Sequence, residues 1–169
     1  MSTRAPAPTA LTLDLADPAA TARFGACLAQ SLDFGDTLLL DGPIGAGKSH
    51  LARALIQSRA AAAGAPQPDV PSPTYTLVQS YEIGGGEIVH ADLYRLGDTS
   101  ELAELGLDSA FGTALCLVEW PDRLASLAPD GALGLSLRLR GDGRQATLLD
   151  PSAQAAGRAR FLRDAMVTA

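Results

Sequence analysis

The apolar run Thr37-Leu38-Leu39-Leu40 leads into Gly42-Pro43-Ile44-Gly45-Ala46-Gly47-Lys48-Ser49, and a helix-forming run, His50-Leu51-Ala52-Arg53-Ala54-Leu55-Ile56, follows directly. The eight central residues satisfy G-x-x-x-x-G-K-[ST], and a strand before them with a helix after is the context in which that pattern makes a phosphate-binding loop. No other segment constrains the fold as tightly, because it dictates a strand, a tight turn and a helix in succession. Glycines let the backbone turn and bring its N–H groups to the α and β phosphates of a nucleotide at a helix N-terminus, where the dipole favours negative charge. Lys48 is expected to be an exposed contact to the β and γ phosphates, and the Ser49 hydroxyl a ligand of Mg²⁺. Gly42, Pro43, Ile44, Gly45, Ala46, Gly47, Lys48, Ser49 and His50 together form the candidate nucleotide-binding segment.

Around this unit the pattern alternates. Leu11 to Leu15 reads as a strand, and Asp17-Pro18 supplies an N-cap and a first-turn proline for a helix running to about Leu32. Ala60 to Thr74 is rich in Ala, Pro and Gly without periodicity and is expected to be a surface loop near the nucleotide end of the sheet. Tyr75 to Ile83 and Glu87 to Asp92 read as strands joined through Gly84-Gly85-Gly86, and Glu101 to Leu105 as a short helix. Ala114 to Val118 is continuously apolar, as for a strand buried on both faces, and ends in Glu119. Leu133, Leu135, Leu137 and Leu139 alternate with smaller or polar residues, and after Gly141-Asp142-Gly143 the run Gln145 to Leu149 completes a second hairpin. A helix from about Ser152 to Met166 follows. These elements predict an α/β sandwich of the P-loop NTPase type, with a mixed sheet that has a parallel core and added antiparallel hairpins.

The length of 169 residues suits one domain over residues 11–169 behind a frayed N-terminal tail, 1–10. Met1 to Ala10 has no apolar core of a signal peptide, and no apolar run approaches membrane-spanning length, so a cytoplasmic protein is expected. In a reducing compartment Cys27 and Cys116 read as small buried hydrophobes. A net charge of −6 argues against a broad nucleic-acid-binding surface, which depends on Lys and Arg neutralising phosphates.

A protein that hydrolyses or transfers a phosphoryl group needs a second acid at the end of a strand beside the P-loop strand. Leu115-Cys116-Leu117-Val118-Glu119 offers one, and Ile88-Val89-His90-Ala91-Asp92 offers a weaker version. Both fall at the carboxyl ends of strands, where ligands bind in open α/β sheets. Thr74, within Ser72-Pro73-Thr74-Tyr75-Thr76, occupies the place where nucleotide switches sense a γ-phosphate or Mg²⁺; it also reads as an ordinary proline turn. His90 reads as a hydrogen-bonded structural residue. Trp120, the one tryptophan, suits a core side chain or a lid on the site, and Arg123 a phosphate contact or the start of a solvated helix.

Five segments occur in an order and spacing that resemble the TsaE family, the small bacterial ATPases of tRNA threonylcarbamoyladenosine biosynthesis. They are Gly42 to Ser49, Val70 to Thr76, His90-Ala91-Asp92-Leu93-Tyr94-Arg95-Leu96, Glu101 to Leu107, and Val118-Glu119-Trp120-Pro121-Asp122-Arg123. The resemblance spans about Leu38 to Arg123. It implies ATP and Mg²⁺ as cofactors, with Lys48 on phosphate, Ser49 and Glu119 on the metal, Asp92 needed for hydrolysis, Thr74 in a switch-like loop and Trp120 near the nucleotide. It also implies two sugar-kinase-like partner proteins, one of them the threonylcarbamoyl transferase, and contact with tRNA only through that complex. The sequence departs from the family at Pro43, where an acid is usual, at Ser49 and His50, where threonines are usual, and at Ala91, where an aromatic is usual. Ser49 keeps the metal-binding hydroxyl.

Two other classes fit the loop itself. A nucleoside or other small-molecule kinase has a similar P-loop, but needs an acceptor pocket and an Arg-rich lid; Arg138, Arg140 and Arg144 lie on a hairpin, where Arg138 and Arg140 share a face they simply solvate. A nucleotide-gated binding module without catalysis would carry the same acids. A GTPase switch is disfavoured, because neither an Asn/Thr-Lys-x-Asp guanine signature nor an Asp-x-x-Gly after the loop occurs.

Overall fold

A computed structural model describes residues 9–168. The chain runs β1 (Thr9–Leu15), α1 (Pro18–Ser31), β2 (Thr37–Asp41), α2 (Lys48–Ala62), β3 (Val78–Ile83), β4 (Gly86–Asp92), α3 (Glu101–Glu104), α4 (Leu107–Ala110), β5 (Leu115–Glu119), a 3-10 helix (Pro121–Leu127), β6 (Leu133–Arg140), β7 (Gly143–Asp150) and α5 (Ala155–Thr168). All seven strands join one sheet in the order β1-β7-β6-β2-β5-β4-β3. Strands β6, β2, β5 and β4 are mutually parallel; β3 pairs antiparallel with β4, and β7 with both β6 and β1. The mixed sheet with a parallel core and antiparallel flanks is therefore the architecture of the molecule.

Alternation of side chains along the central strands builds two cores. Leu38, Leu40, Leu115, Leu117, Leu135 and Leu137 face α1, α2 and α5, meeting Phe24, Leu28, Leu51, Leu55 and Leu162. Val89, Ala91, Cys116 and Val118 face the other way, against Leu102, Leu107 and Leu124 of the short helices. That second layer covers β4, β5 and β2; across β1, β7 and β6 the same face exposes Thr12, Asp14, Arg138, Arg140 and Leu149.

Local chemistry sets several boundaries. Asp17 caps α1 by accepting from the Ala20 N–H at 2.7 Å, with Pro18 in the first turn, a cap worth about 1 kcal/mol. Helix α2 extends to Ala62, further than its apolar pattern predicted, because Ala60 is buried in the core and Arg59 donates to the carbonyls of Ala29 and Leu32 at the end of α1. Strand β3 begins at Val78 rather than Tyr75: Leu77 adopts a left-handed backbone, φ 65°, and its N–H turns back to the Pro73 carbonyl at 2.7 Å. Gly86 lies within β4, so the connection from β3 is the two-residue turn Gly84-Gly85. Of the expected tail, residues 1–8 lie outside the described residues, whereas Thr9 and Ala10 belong to β1. No described helix is long and apolar enough to cross a membrane.

Candidate phosphate-binding site

Strand β2 delivers the chain to Gly42 at the carboxyl end of the parallel core, and α2 leaves from Gly47. Gly42 passes so close to β6 that a Cβ there would stand 2.6 Å from the Leu137 carbonyl oxygen, a contact no side chain tolerates. Gly47 caps α2 in the left-handed region at φ 101°, which a residue with a Cβ adopts only under strain. The turn between them is braced from behind by Arg144 of β7, whose Nε donates to the Ala46 carbonyl and Nη2 to the Gly45 carbonyl, each at 3.0 Å. Across a trans peptide N–H and C=O point oppositely, so the arginine's hold on the Ala46 carbonyl turns the Gly47 N–H away from it, toward the cavity that Gly47 lines.

That cavity, of about 360 Å³, is lined by Ile44, Gly45, Gly47, Lys48, Ser49 and His50 from the loop and α2, by Ser72 and Thr74, by Asp92 and Tyr94, and by Glu119 and Trp120. Strands β4 and β5 end in register, Asp92 beside Glu119, which is why two acids 27 positions apart in the chain open on the same space. Lys48 departs from its expected exposure. It is 5% exposed, and its ammonium donates to the carbonyls of Gly42 at 2.6 Å and Pro43 at 3.0 Å while lying 4.2 Å from the centre of the Trp120 indole. Burial lowers its pKa from the ordinary lysine value, and the carboxylates of Glu119, Asp92 and Asp41 oppose that shift.

Ser49 Oγ lies 2.8 and 3.1 Å from the two Glu119 carboxylate oxygens, and Ser72 Oγ stands 3.3 Å from it. Ser72 Oγ is 2.7 Å from Thr74 Oγ1, which donates to Asp92 Oδ2 at 3.0 Å; Asp92 Oδ1 accepts the Tyr94 N–H at 3.0 Å. A file of hydroxyls thus joins the two acids. Trp120 has a left-handed backbone, φ 58°, which carries its ring over Lys48 and to 4.9 Å from the Tyr94 ring centroid. His90, fully buried, stands behind Glu119 with Nε2 2.8 Å from Oε1.

The candidate residues from the sequence converge here with few exceptions. Gly42 and Pro43 contribute carbonyls to Lys48 without lining the cavity, and Arg123 is exposed on the 3-10 helix and lines neither this cavity nor the one adjoining it. Ala46 is buried and, with Gly47, His50, Asp17, Thr21 and Arg144, lines an adjoining cavity of about 310 Å³. Sequence reasoning passed over Ser72, Tyr94 and Arg144. Ser72 and Tyr94 stood inside segments already singled out, whereas Arg144 acts on carbonyls 98 and 99 residues away and leaves no local signal.

Among the described residues, no group of three or more His, Cys, Asp and Glu side chains is placed to hold a metal by itself. A nucleotide-borne Mg²⁺ needs only one or two protein oxygens, its other ligands being water and phosphate, and Ser49 Oγ with a buried Glu119 carboxylate is such a hard-oxygen set.

Residues 15–146 match the family model described as threonylcarbamoyl adenosine biosynthesis protein TsaE. The chain is 38% identical over 111 residues to the tRNA threonylcarbamoyladenosine biosynthesis protein TsaE of Haemophilus influenzae, a match covering 65% of this chain and 67% of that protein. It is 33% identical over 126 residues to the protein of the same name from Treponema pallidum, covering 74% and 89% of the two chains. The crystal structure of Bacillus subtilis YdiB superposes with a TM-score of 0.72 over 93% of this chain and 96% of that one, at 23% identity, a likeness of fold.

Proposed function

The chain belongs to the TsaE family and has a role in tRNA threonylcarbamoyladenosine biosynthesis, and from that premise we propose that it binds ATP with Mg²⁺ and hydrolyses it to drive or reset a complex with a threonylcarbamoyl transferase and its sugar-kinase-like companion. The observation that supports this reading best is the meeting of Lys48, Ser49, Asp92 and Glu119 in one cavity at the N-terminus of α2. Backbone N–H groups and the positive end of a fifteen-residue helix suit a chain of phosphates, and the adjoining cavity past His50 gives room for the nucleoside end.

In this reading Lys48 exchanges its loop carbonyls for phosphate oxygens, and Ser49 and Glu119 hold the metal. When bound, Mg²⁺ supplies positive charge that offsets charge building on the phosphoryl oxygens. Asp92, fixed by Thr74 and the Tyr94 N–H, orients the attacking water, and Trp120 shields the ammonium from bulk solvent. Tyr94 lines the cavity and is exposed, and Tyr75, exposed next to the cavity-lining Thr74, stacks under Arg95 at 4.5 Å. This surface, within segments 70–76 and 94–107, is the proposed docking face for the transferase pair. With a net charge of −6, tRNA is reached through that pair.

ATP turnover with and without the transferase pair, alongside a panel of nucleoside acceptors, tests the proposal. Slow hydrolysis alone and a change on adding the pair are expected. Robust phosphorylation of a nucleoside by the isolated chain would point to a kinase, and nucleotide-dependent docking without turnover to a gated binding module.

A further inference from the structure

His90 is a buried ionisable side chain beside the site that lines neither of the two cavities. It sits in the middle of β4 beside Leu117 of β5, 0% exposed, and its polar contact is Nε2 to Glu119 Oε1 at 2.8 Å. Nδ1 is buried without a hydrogen-bond partner. An N–H orphaned there would forfeit its hydration, whereas an unpaired ring lone pair loses less, so the proton belongs on Nε2, where it is donated to the carboxylate. Oε1 therefore takes both short bonds, from His90 and from Ser49 Oγ at 2.8 Å, while Oε2 has only the longer 3.1 Å contact with Ser49.

We propose that His90 is a positioning residue for cation binding: its Nε2–H fixes the rotation of the Glu119 carboxylate so that Oε2 keeps its lone pairs for the metal or a metal-bound water. This rests on the reading above that Ser49 and Glu119 hold the cation. Outer partners of this kind commonly change metal affinity by about tenfold to a hundredfold when removed, because the ligand must then be ordered at the moment of binding. The carboxylate is 2% exposed, so no bulk water stands ready to replace the lost donor.

The test compares full-length wild type, His90→Met, His90→Gln and Glu119→Gln, with Mn²⁺ titrated by electron paramagnetic resonance in the presence of ADP and ADP affinity measured separately in EDTA. Thermal unfolding of each variant checks the fold. His90→Met is expected to lose about tenfold in Mn²⁺ affinity with metal-free ADP affinity little changed. His90→Gln, which keeps a donor at the Nε2 end, is expected to recover most of the loss. If Glu119→Gln leaves Mn²⁺ affinity intact, the assignment of the metal to Glu119 fails. If Glu119→Gln weakens it while His90→Met does not, or His90→Gln is as poor as His90→Met, the role given to His90 alone is overturned. Should His90→Met fail to fold, ¹⁵N spectra of the wild type decide, since the chain has only two histidines. A His90 ring with its proton on Nε2, whose signals move with Mg²⁺ and ADP but not with ADP in EDTA, supports the proposal; a proton on Nδ1, or no response to Mg²⁺, overturns it.

Discussion

Lys48 is the buried cation of the candidate phosphate-binding site. Its ammonium is desolvated, held by two carbonyls of its own loop and roofed by an indole. Lys48→Ala is expected to weaken nucleotide binding by about 3 kcal/mol, roughly a hundredfold, by removing charge-assisted bonds to phosphate. The fold should survive, since the desolvation of a buried ammonium offsets what its bonds contribute to stability; calorimetric titration with ADP and circular dichroism check both statements. Trp120 gives a second test at this scale. Its ring touches both Lys48 and Tyr94, so its fluorescence should change when MgATP binds, and constancy at saturation would place phosphate away from Lys48. Cys116 is a contrasting case. Burial pushes its thiol up to about 12, and because the thiolate is the reactive form, it should resist thiol reagents in the native state at pH 8 and react only as the chain unfolds.

At the scale of elements, α1 packs tightly against α2 at Gly25. A Cβ there would stand 2.7 Å from the Leu51 carbonyl oxygen and 3.1 Å from Ala54 Cβ, so Gly25→Ala must push α1 off α2. Helix propensity favours Ala by about 1 kcal/mol, but overpacking costs about 1–3 kcal/mol. A net loss of about 1 kcal/mol is expected in urea unfolding; a stabilised variant would mean that the helices slide apart freely. Elements whose causes are local were legible in the sequence: the Asp17-Pro18 start of α1, the strand-loop-helix of residues 37–56, and β5 running into Glu119. Elements shaped by distant partners were not. The end of α2 depends on contacts with α1, and the start of β3 on a turn closed by Pro73 and Leu77, both invisible to periodicity. The site divides the same way: the loop and its two acids could be read from chain order and strand ends, whereas the Arg144 brace and the His90–Glu119 contact exist only once β7 and β5 are in place.

For the molecule as a whole, Arg158 of α5 ties together elements from both ends of the chain. It pairs with Asp150 at the end of β7, donates to the Ser31 carbonyl of α1 at 3.0 Å, and stands 3.6 Å from Asp36 ahead of β2. Burial alone pushes the Asp150 carboxyl up, but hydrogen bonds from Ser152 and Arg158 outweigh it and hold the carboxyl below the ordinary value. A depressed folded pKa means that this contribution is present above the unfolded value and is lost as pH falls through the folded one. Asp150→Asn should therefore cost about 3 kcal/mol at pH 7 by removing the nearest carboxylate from a buried guanidinium, and the deficit should narrow in acid, as scanning calorimetry across pH can measure. A deficit independent of pH would mean that the carboxylate charge contributes nothing.

The pairing of β1 with β7 also bears on time. Thr9 lies opposite Asp150, and the Gly42–Ser49 loop, though complete in sequence by residue 49, takes its Arg144 brace from the same late strand. During synthesis β1 has no strand to pair with until some 140 further residues have emerged, many seconds at ordinary elongation rates. The nascent protein must hold an unpaired edge and an unbraced loop for that interval, so the Gly42–Ser49 turn should reach its final form together with the β6–β7 hairpin.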